Sequence, residues 1–167
     1  MFKGSYRHRI DAKGRLPVPA AFRRVLAEGQ SSALVVTLLD QCLAAYPRAE
    51  WSRLESQLRA LPSFSRPVKA LTRLLASRAV DCALDVQGRI LLPAPLRAAA
   101  KLGREAVVAG VLDRFEIWDP ESWSNFLAES ERVLEDASVD IAWPLPAALP
   151  VPGPSRRGPR PQGNPSR

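Results

Sequence analysis

One block of residues occurs twice in the sequence, and this repeat restricts the possible folds more than any other feature. Residues 10–23 (IDAKGRLPVPAAFR) align with residues 84–97 (LDVQGRILLPAPLR) at an offset of 74 positions. Further along, residues 34–51 align with residues 107–123 at an offset of 72. Self-similarity of this kind indicates two copies of one structural unit. We therefore interpret the chain as an internal duplication.

Both copies are predicted to contain the same elements in the same order. Two strands flank a D-x-x-G-R turn, and Pro19 or Pro93 then begins a short helix, a position where proline loses no hydrogen bond. Glycine is common just past a helix end, so these helices are expected to end near Gly29 and Gly103. A second strand pair follows in each copy. The predicted strands are 5–10, 15–18, 33–38 and 42–46, then 80–85, 89–92, 106–111 and 114–118.

Apolar residues at helical spacing predict a helix at the end of each copy and a connecting helix over about 66–78. We expect these stripes to pack in the core or between subunits rather than to stack on nucleic-acid bases. The stripes are Trp51, Leu54, Leu58 and Leu61 in the first copy, Val68, Leu71, Leu74 and Leu75 in the connector, and Trp123, Phe126, Leu127 and Leu134 in the second copy.

Neither copy is large enough to form a complete domain by itself. Without the connector each has fewer than about 60 residues, and its few strands would leave one apolar face uncovered. Two copies in one chain can cover each other. The sequence therefore predicts an α+β fold in which both copies build a single pseudo-twofold β unit flanked by helices.

The D-x-x-G-R turn combines residue types that suit a rigid loop. Asp11 and Asp85 can accept hydrogen bonds from backbone N–H groups just ahead of them in the chain. Gly14 and Gly88 supply a positive φ angle without steric cost. We assign these four residues as the ones that shape the two loops.

Arg15 and Arg89 follow these turns at the start of a strand. A guanidinium that is held there and free to reach outward suits a phosphate group or the edge of a guanine base. Alternatively, the two arginines form structural ion pairs with Asp11 and Asp85 or with each other's loops, and the residue chemistry leaves both interpretations open. Lys13 adds a charge to the first loop only, so the loops are alike in geometry and unequal in charge.

Positive charge is concentrated at the two ends of the chain. Residues 1–24 contain seven Lys or Arg and one Asp, whereas residues 25–143 contain 13 basic and 16 acidic residues. Residues 144–167 contain four Arg and no acidic residue. A basic segment beside a mildly acidic body suggests a polyanionic partner, although a solvated charged face is equally compatible with it.

No pattern in the sequence indicates a reaction, and we expect no catalytic residue, no metal and no cofactor. His8 is the single histidine, and Cys42 and Cys82 lie far apart, so zinc sites and Ser–His–Asp triads lack partners. The cysteines are predicted to be small buried apolar groups. Glycine-rich phosphate loops and G-x-S-x-G are absent from the sequence. No apolar run approaches the roughly 18 residues of a membrane span, and no signal region begins the chain.

Four segments together resemble the MraZ family of bacterial transcriptional regulators. MFKGSYRHRIDAKGRLPVPAAFR (1–23) resembles the opening of these proteins, and LDVQGRILLPAPLR (84–97) resembles their second D-x-x-G-R block. LPSFSRPVKALTRLL (61–75) is similar to their connector, and DRFEIWDPESW (113–123) to their last strand and helix start. The resemblance covers residues 1–136, and the order and spacing of the four segments make it highly specific.

The resemblance implies a fold, a function and partners. Members fold as AbrB-like swapped-hairpin β barrels and assemble into homo-oligomeric rings. They bind double-stranded DNA at G-rich direct repeats in the promoter of their own division and cell-wall operon, which they usually repress. This implies a cytoplasmic, nucleoid-associated protein with no membrane partner and no small-molecule substrate.

The resemblance also implies which residues contact DNA. The loop arginine of the family corresponds to Arg15, with Arg89 as its counterpart and Lys13 beside it. We expect Arg15 to read DNA and Arg89 to hold the barrel or support a neighbour. The local charge adds four candidate phosphate contacts, namely Arg7, Arg9, Arg23 and Arg24.

The predicted organisation follows the repeat. We expect a first AbrB-like domain at 5–51, a helical connector at 52–78, a second AbrB-like domain at 79–123, a C-terminal helix at 124–143 and a disordered Pro/Arg-rich tail at 144–167.

Three features depart from the expected pattern, one of them the additional Pro/Arg-rich tail at 144–167, and one alternative function stays open. Pro17 lies inside a predicted strand, which is therefore expected to be an edge strand. Residues 38–42 lack the glycine expected in their turn. The alternative is an antitoxin-like protein of the wider AbrB group, which would act by contact with another protein instead of DNA.

Overall fold

The computed structural model describes residues 1–135, so the predicted tail and the last residues of the predicted C-terminal helix lie outside the described residues. The first copy contains β1 (Ser5–Arg9), β2 (Arg15–Pro17), α1 (Ala20–Glu28), β3 (Ala33–Leu39), β4 (Cys42–Pro47) and α2 (Arg48–Ala60). Helix α3 (Arg66–Ala76) connects the copies. The second copy contains β5 (Val80–Ala83), β6 (Arg89–Leu91), α4 (Ala94–Ala99), β7 (Glu105–Val111), β8 (Arg114–Trp118) and α5 (Pro120–Glu135).

Both copies contribute strands to one antiparallel sheet. Its order is β1-β7-β8-β4-β3-β5, and β2 and β6 pair separately as a two-stranded ribbon, the β2–β6 ribbon. Exchanging the copies leaves this order unchanged, so a pseudo-twofold axis passes between β4 and β8. The first strand of each copy pairs with the other copy, β1 with β7 and β5 with β3. The two copies therefore form one β unit, as the repeat predicts.

The main core lies between the six-stranded sheet and a second layer made of the β2–β6 ribbon, α1 and α4. Leu16 and Ile90, at the centre of the ribbon, are completely buried. Phe22 of α1 packs against Phe2 with ring centroids 5.3 Å apart, and Phe2 packs against Phe115 of the sheet at 5.5 Å. Edge-to-face contacts of this kind add to the burial of apolar area. The core thus unites residues from both copies.

Helices α2, α3 and α5 cover parts of the opposite face of the sheet. Trp51 of α2 packs against Tyr46 with ring centroids 5.7 Å apart, and Phe126 of α5 stacks on Trp118 at 4.8 Å. This confirms core packing for the aromatic part of the predicted stripes. Other members of the stripes stay exposed in the single chain, among them Leu61, Leu71, Leu74 and Leu127.

A buried polar network lies beside the pseudo-twofold axis in the second copy only. Glu116 accepts hydrogen bonds from Trp118 Nε1 at 3.0 Å and from the Arg114 guanidinium at 3.2 Å. The Arg114 guanidinium lies 5.6 Å from the ring centroid of Tyr46. Directly opposite Glu116, the first copy has Ala44. The network therefore distinguishes two halves that are otherwise nearly equivalent.

Both cysteines are buried and unpaired among the described residues, as the sequence predicts. Burial raises the pKa of the Cys82 thiol to about 11 and raises that of Cys42 further. Such thiols stay protonated at neutral pH and are poor nucleophiles. We find no group of three or more His, Cys, Asp or Glu placed to bind a metal within residues 1–135, and none of the helices there is long and apolar enough to cross a membrane.

The α+β class is confirmed, while two expectations about the fold need correction. No closed barrel is found in the described residues, because β1 and β5 each pair on one side only and the β2–β6 ribbon forms its own ladder. Helix α4 ends at Ala99 rather than near Gly103, and Lys101 takes the left-handed conformation with φ +55°. Helix α4 is three residues shorter than α1. This difference lies where the repeat offset changes between the copies.

Two of the three departures in the sequence fall in the described residues, and both have simple structural outcomes. Pro17 pairs with Arg89 at the end of a strand that has a single neighbour, so β2 is an edge strand as predicted. In the turn without glycine, Asp40 itself adopts a positive φ of 51°. Aspartate tolerates this conformation better than most residues, so the β3–β4 hairpin closes without glycine.

Candidate nucleic-acid interface

The first D-x-x-G-R loop is held together by the side chain of its aspartate. One carboxylate oxygen of Asp11 accepts hydrogen bonds from the backbone N–H groups of Lys13 and Arg15, each at 2.9 Å. The other oxygen accepts from Arg15 Nε at 2.6 Å. Gly14 has a φ of +86°, and its N–H donates to the Asp11 carbonyl at 2.9 Å. The predicted loop-shaping roles of Asp11 and Gly14 therefore have direct geometric support.

The second loop repeats this geometry almost atom for atom. Asp85 accepts from the backbone N–H groups of Gln87 and Arg89, each at 2.9 Å, and from Arg89 Nε at 2.8 Å. Gly88 has a φ of +72° and donates to the Asp85 carbonyl at 2.8 Å. The Asp, Gly and Arg that both sites share thus produce nearly the same loop geometry.

These contacts lower the pKa of both loop aspartates. For Asp11 the largest cause is the backbone hydrogen bond from Arg15, and for Asp85 it is the equivalent bond from Arg89. Hydrogen bonds and a neighbouring guanidinium favour the charged carboxylate. Both loops therefore keep an ionised aspartate well into the acidic range.

Both loop arginines are engaged within their own loops, which corrects the expectation of a freely extended guanidinium. Arg15 pairs with Asp11, and Arg89 pairs with Asp85, as the alternative interpretation of the sequence proposed. The side chain of Arg15 is 35% exposed and that of Arg89 is 24% exposed. The ion pairs hold each guanidinium in place while part of it faces solvent.

The β2–β6 ribbon places both arginines on one face. Leu16 and Ile90 are paired across the ribbon and point into the core, so their sequence neighbours point the opposite way. Arg15 and Arg89 lie on this outer face, on different strands and two positions apart. Their Cα atoms are therefore expected to be about 7–8 Å from each other.

Each loop is also bound to the copy that it does not belong to. The Gly14 carbonyl accepts a hydrogen bond from the N–H of Leu92 at 2.9 Å. Reciprocally, the Gly88 carbonyl accepts from the N–H of Val18 at 3.0 Å. The position of each loop consequently depends on the strand that leaves the other loop.

Two further arginines cross between the copies. The side chain of Arg97, on α4, packs over Gly14, where a Cβ atom would lie 3.0 Å from its Nε, and Arg97 donates to the Leu92 carbonyl at 3.1 Å. The side chain of Arg23, on α1, packs over Gly88 in the same manner. Each loop therefore has its own arginine and one from the opposite helix.

The crossing changes the charge assigned to the second loop. The sequence assigns that loop a weakly basic neighbourhood, because the basic segment lies in the first copy. The fold brings Arg23 out of that segment and places its side chain against Gly88, the residue before Arg89. Arg97 was not among the residues predicted for the site from sequence, although its alignment with Arg23 in the repeat was a usable signal.

The remaining basic candidates lie in two different places. Lys13 is exposed in the first loop, and Arg24 is exposed on α1. Arg7 and Arg9 point away from the face of β1 that carries Tyr6, whose ring packs on Phe22 of α1. Arg9 lies 3.7 Å from a carboxylate oxygen of Glu105. The structure thus unites Lys13, Arg15, Arg23, Arg89 and Arg97 around the ribbon and places Arg7 and Arg9 on the other face of the sheet.

Comparison with known proteins identifies relatives along nearly the whole described chain. The family model "MraZ protein, putative antitoxin-like" matches twice, at residues 1–74 and 75–140, once for each copy. A transcriptional regulator MraZ of Desulforamulus reducens is 45% identical over 142 residues, covering 84% of this chain and 97% of the relative. Proteins of the same name from Desulfitobacterium hafniense and Roseiflexus castenholzii are 46% and 47% identical, covering 84% and 77% of this chain and 96% and 87% of the relatives.

The names and the coverage of these relatives establish both the class of this protein and its family. Because relatives that match along most of the chain are named transcriptional regulators, this duplicated β unit with its two aspartate-anchored arginine loops belongs to a transcriptional regulator and not to an enzyme. The chain belongs to the MraZ family. The resemblance seen in the four sequence segments is thereby confirmed.

Proposed function

We propose that this regulator binds DNA sequence-specifically and represses its own division and cell-wall operon by binding G-rich direct repeats in the promoter. The observation that supports this most directly is the placement of Arg15 and Arg89 on one face of the β2–β6 ribbon. A two-stranded ribbon fits the major groove, and arginine pairs well with the O6 and N7 atoms of guanine. The swapped β1–β2 and β5–β6 hairpins would then act as the AbrB-like reading unit.

The roles of the arginines differ in this proposal. Arg15, with Lys13 beside it and a more exposed side chain, contributes most to base recognition, and Arg89 contributes less. Arg23, Arg24 and Lys13 supply phosphate contacts, which position the protein without reading sequence. Arg7 and Arg9 contribute through long-range attraction, because they project from the other face of the sheet.

Assembly into a homo-oligomeric ring supplies the affinity that one chain lacks. A single ribbon makes few phosphate contacts, so its binding is weak and sensitive to salt. Several ribbons on one ring meeting several direct repeats raise the effective concentration and therefore the avidity. Double-stranded DNA and further copies of the chain are the partners in this proposal, and the site of action is the nucleoid.

A mobility-shift titration with the upstream region of the gene tests the proposal. Wild-type protein should give a salt-sensitive shift, and the double variant Arg15→Ala with Arg89→Ala should lose it. Arg66→Ala with Arg78→Ala, which removes the same charge from exposed positions near α3, serves as the matched control and should bind normally. A shift that survives the loop variant would overturn the proposal.

Conservative replacement separates base reading from loop structure. Arg15→Lys keeps the positive charge but cannot form a bidentate contact with guanine. We expect it to retain binding to non-specific DNA while losing about tenfold or more in preference for the promoter repeats, in line with about 1–3 kcal/mol for each bidentate contact. Circular dichroism and thermal melting would establish that the loop variants are folded.

A second candidate function follows from the family description, which includes the word "antitoxin-like". In that case the protein acts by binding another protein through its exposed helical faces. A stoichiometric protein partner that co-purifies with the regulator, together with no salt-sensitive shift of promoter DNA, would favour this function over repression.

A further inference from the structure

One large apolar side chain lies on the outer face of the β2–β6 ribbon. Leu91 is 56% exposed, and on the two ribbon strands, all of whose residues the structure describes, it is the only exposed large hydrophobic residue. It points outward because its neighbour Ile90 is completely buried and successive side chains of a strand alternate between the two faces. The face that carries Arg15 and Arg89 therefore also carries an apolar group.

Leu91 and Arg15 are direct neighbours across the ribbon, since its register pairs their Cα atoms. The next pair along the ladder carries a hydrogen bond, from the N–H of Leu92 to the Gly14 carbonyl at 2.9 Å. Hydrogen-bonded and non-hydrogen-bonded pairs alternate in an antiparallel ladder, so Arg15 and Leu91 form a non-hydrogen-bonded pair with Cα atoms about 4.5 Å apart. Their side chains therefore leave the ribbon side by side.

Both members of this pair are held in place. The carbonyl of Leu91 accepts a hydrogen bond from the Cys82 thiol, whose Sγ lies 3.4 Å away, and the next N–H in the chain is bound to the first loop. Arg15 is held by its ion pair with Asp11. Side chains on rigid supports can be aimed at one position of a ligand. The ribbon thus presents a guanidinium and an apolar side chain at a fixed spacing.

We infer that Leu91 is a specificity-determining residue that contacts the methyl group of a thymine next to the guanine read by Arg15. The C5 methyl of thymine is the apolar recognition group of the major groove, whereas phosphate oxygens and the hydrogen-bonding groups of the base edges are polar. Successive nucleotides of a strand are about 3.4 Å apart, so two side chains spaced as these are reach the same or adjacent base pairs. This inference rests on the proposed binding of G-rich repeats and adds a thymine to the recognised sequence.

The equivalent position of the first copy carries a different residue. Pro17 aligns with Leu91 in the repeat and lies opposite Arg89. It is half-buried, and its ring reaches less far than a leucine side chain. The ribbon therefore presents unequal halves to DNA in spite of the pseudo-twofold symmetry. A symmetric reader favours palindromic sites, whereas unequal halves suit a site that has a direction, such as one unit of a direct repeat.

Removing the methyl group from the DNA tests the contact directly. Uracil keeps the hydrogen-bonding groups of thymine and lacks its C5 methyl, so the upstream region of the gene is synthesised with uracil in place of every thymine. Wild-type protein should bind this uracil DNA at least about threefold more weakly than thymine DNA, in line with the loss of contact with one methyl group. Fluorescence anisotropy at one salt concentration measures both affinities.

Variants at Leu91 assign the methyl effect to this side chain. Leu91→Ala should bind thymine DNA at least about threefold more weakly than wild type, and it should not distinguish thymine DNA from uracil DNA. Leu91→Met keeps the length and the apolar character and should restore the distinction. Leu112→Ala is the matched control, because Leu112 is 57% exposed and belongs to the turn between β7 and β8 instead of the ribbon. It should distinguish the two DNAs as wild type does.

The outcomes separate this inference from the proposed function. Wild-type protein that binds neither DNA would refute the proposed function itself. Salt-sensitive binding by wild type with equal affinity for both DNAs, or a Leu91→Ala variant that still distinguishes them, would overturn the thymine contact and leave the proposed function intact. A changed native mass for Leu91→Ala would assign this leucine to a contact between subunits and would also overturn the inference.

Discussion

Arg23 and Gly88 belong to different copies of the repeat, yet the Arg23 side chain lies where a methyl group on Gly88 would have to be. The same relationship joins Arg97 to Gly14, whose Cβ position is 3.0 Å from Arg97 Nε. Each glycine thus serves two purposes, because it adopts the positive φ of the turn and leaves room for an arginine from the opposite copy. The two loops are consequently interlocked rather than independent.

Replacing either loop glycine should destabilise the protein. For Gly88→Ala and Gly14→Ala we expect a loss of about 1–2 kcal/mol in the free energy of unfolding from the left-handed backbone alone, with displacement of the crossing arginine in addition. Gly103→Ala is the matched control, since nothing lies within 4 Å of its Cβ position, and should change stability by less than about 0.5 kcal/mol. Urea denaturation would measure all three, and equal effects would contradict the interlocked arrangement.

The crossing arginines should affect DNA binding through charge. For Arg97→Ala and Arg23→Ala we expect weaker binding to all sequences. The slope of the logarithm of the binding constant against the logarithm of the salt concentration should become shallower by about 0.9 for each subunit that loses a phosphate contact. Promoter and non-specific DNA should be affected equally, in contrast to Arg15→Lys. Fluorescence anisotropy across a range of salt concentrations measures the slope, and an unchanged slope for Arg97→Ala would remove that residue from the interface.

Acid should weaken the loops through their aspartates. The pKa of Asp85 is lowered in the folded protein, first by the backbone hydrogen bond from Arg89. Its contribution to stability is therefore complete above the unfolded pKa of 3.8 and is lost as the pH falls through the lower folded value. Asp85→Asn should be less stable than wild type at neutral pH, with a gap that closes on acidification. Denaturation curves at a series of pH values check this, and a constant gap would contradict it.

The buried network of the second copy should be costly to interrupt. Glu116→Ala removes the partner of Trp118 Nε1 and of the Arg114 guanidinium, so we expect a loss of about 2 kcal/mol or more. For a chain of this size that corresponds to a fall of about 4–8 °C in melting temperature. Glu116→Gln keeps an acceptor for Trp118 and should cost less. Calorimetry would compare the two, and an undisturbed melting temperature for Glu116→Ala would show that the network contributes nothing.

The sequence predicted the elements of the fold well because each has a strong local cause. Periodicity identified eight strands and the helices between them, and the D-x-x-G-R pattern identified the turns. The expected end of α4 at Gly103 was wrong because Lys101 could close the helix in a left-handed conformation. The β barrel that the family resemblance implies is not found closed within residues 1–135, since closure depends on which strand edges meet, and no local pattern encodes that.

The candidate site was predictable in part for the same reason. Asp11, Gly14, Asp85 and Gly88 are local loop residues, and both loops have the predicted form. Arg97 was overlooked because its contact is with a loop 83 positions earlier in the chain. The DNA contacts of Arg15, Lys13 and the other basic residues stay predictions.

The sequence by itself determined the duplication, the two loops and the family, because repeated residues and short turns act over a few positions. Only the tertiary structure decided where the charges lie. Strand β1 of the first copy pairs with β7 of the second, and β5 of the second copy pairs with β3 of the first. In this arrangement Arg23 contacts the second loop and Arg97 contacts the first. Contacts between distant segments depend on how the copies pack, so the linear distribution of charge could not reveal that both loops carry a pair of arginines.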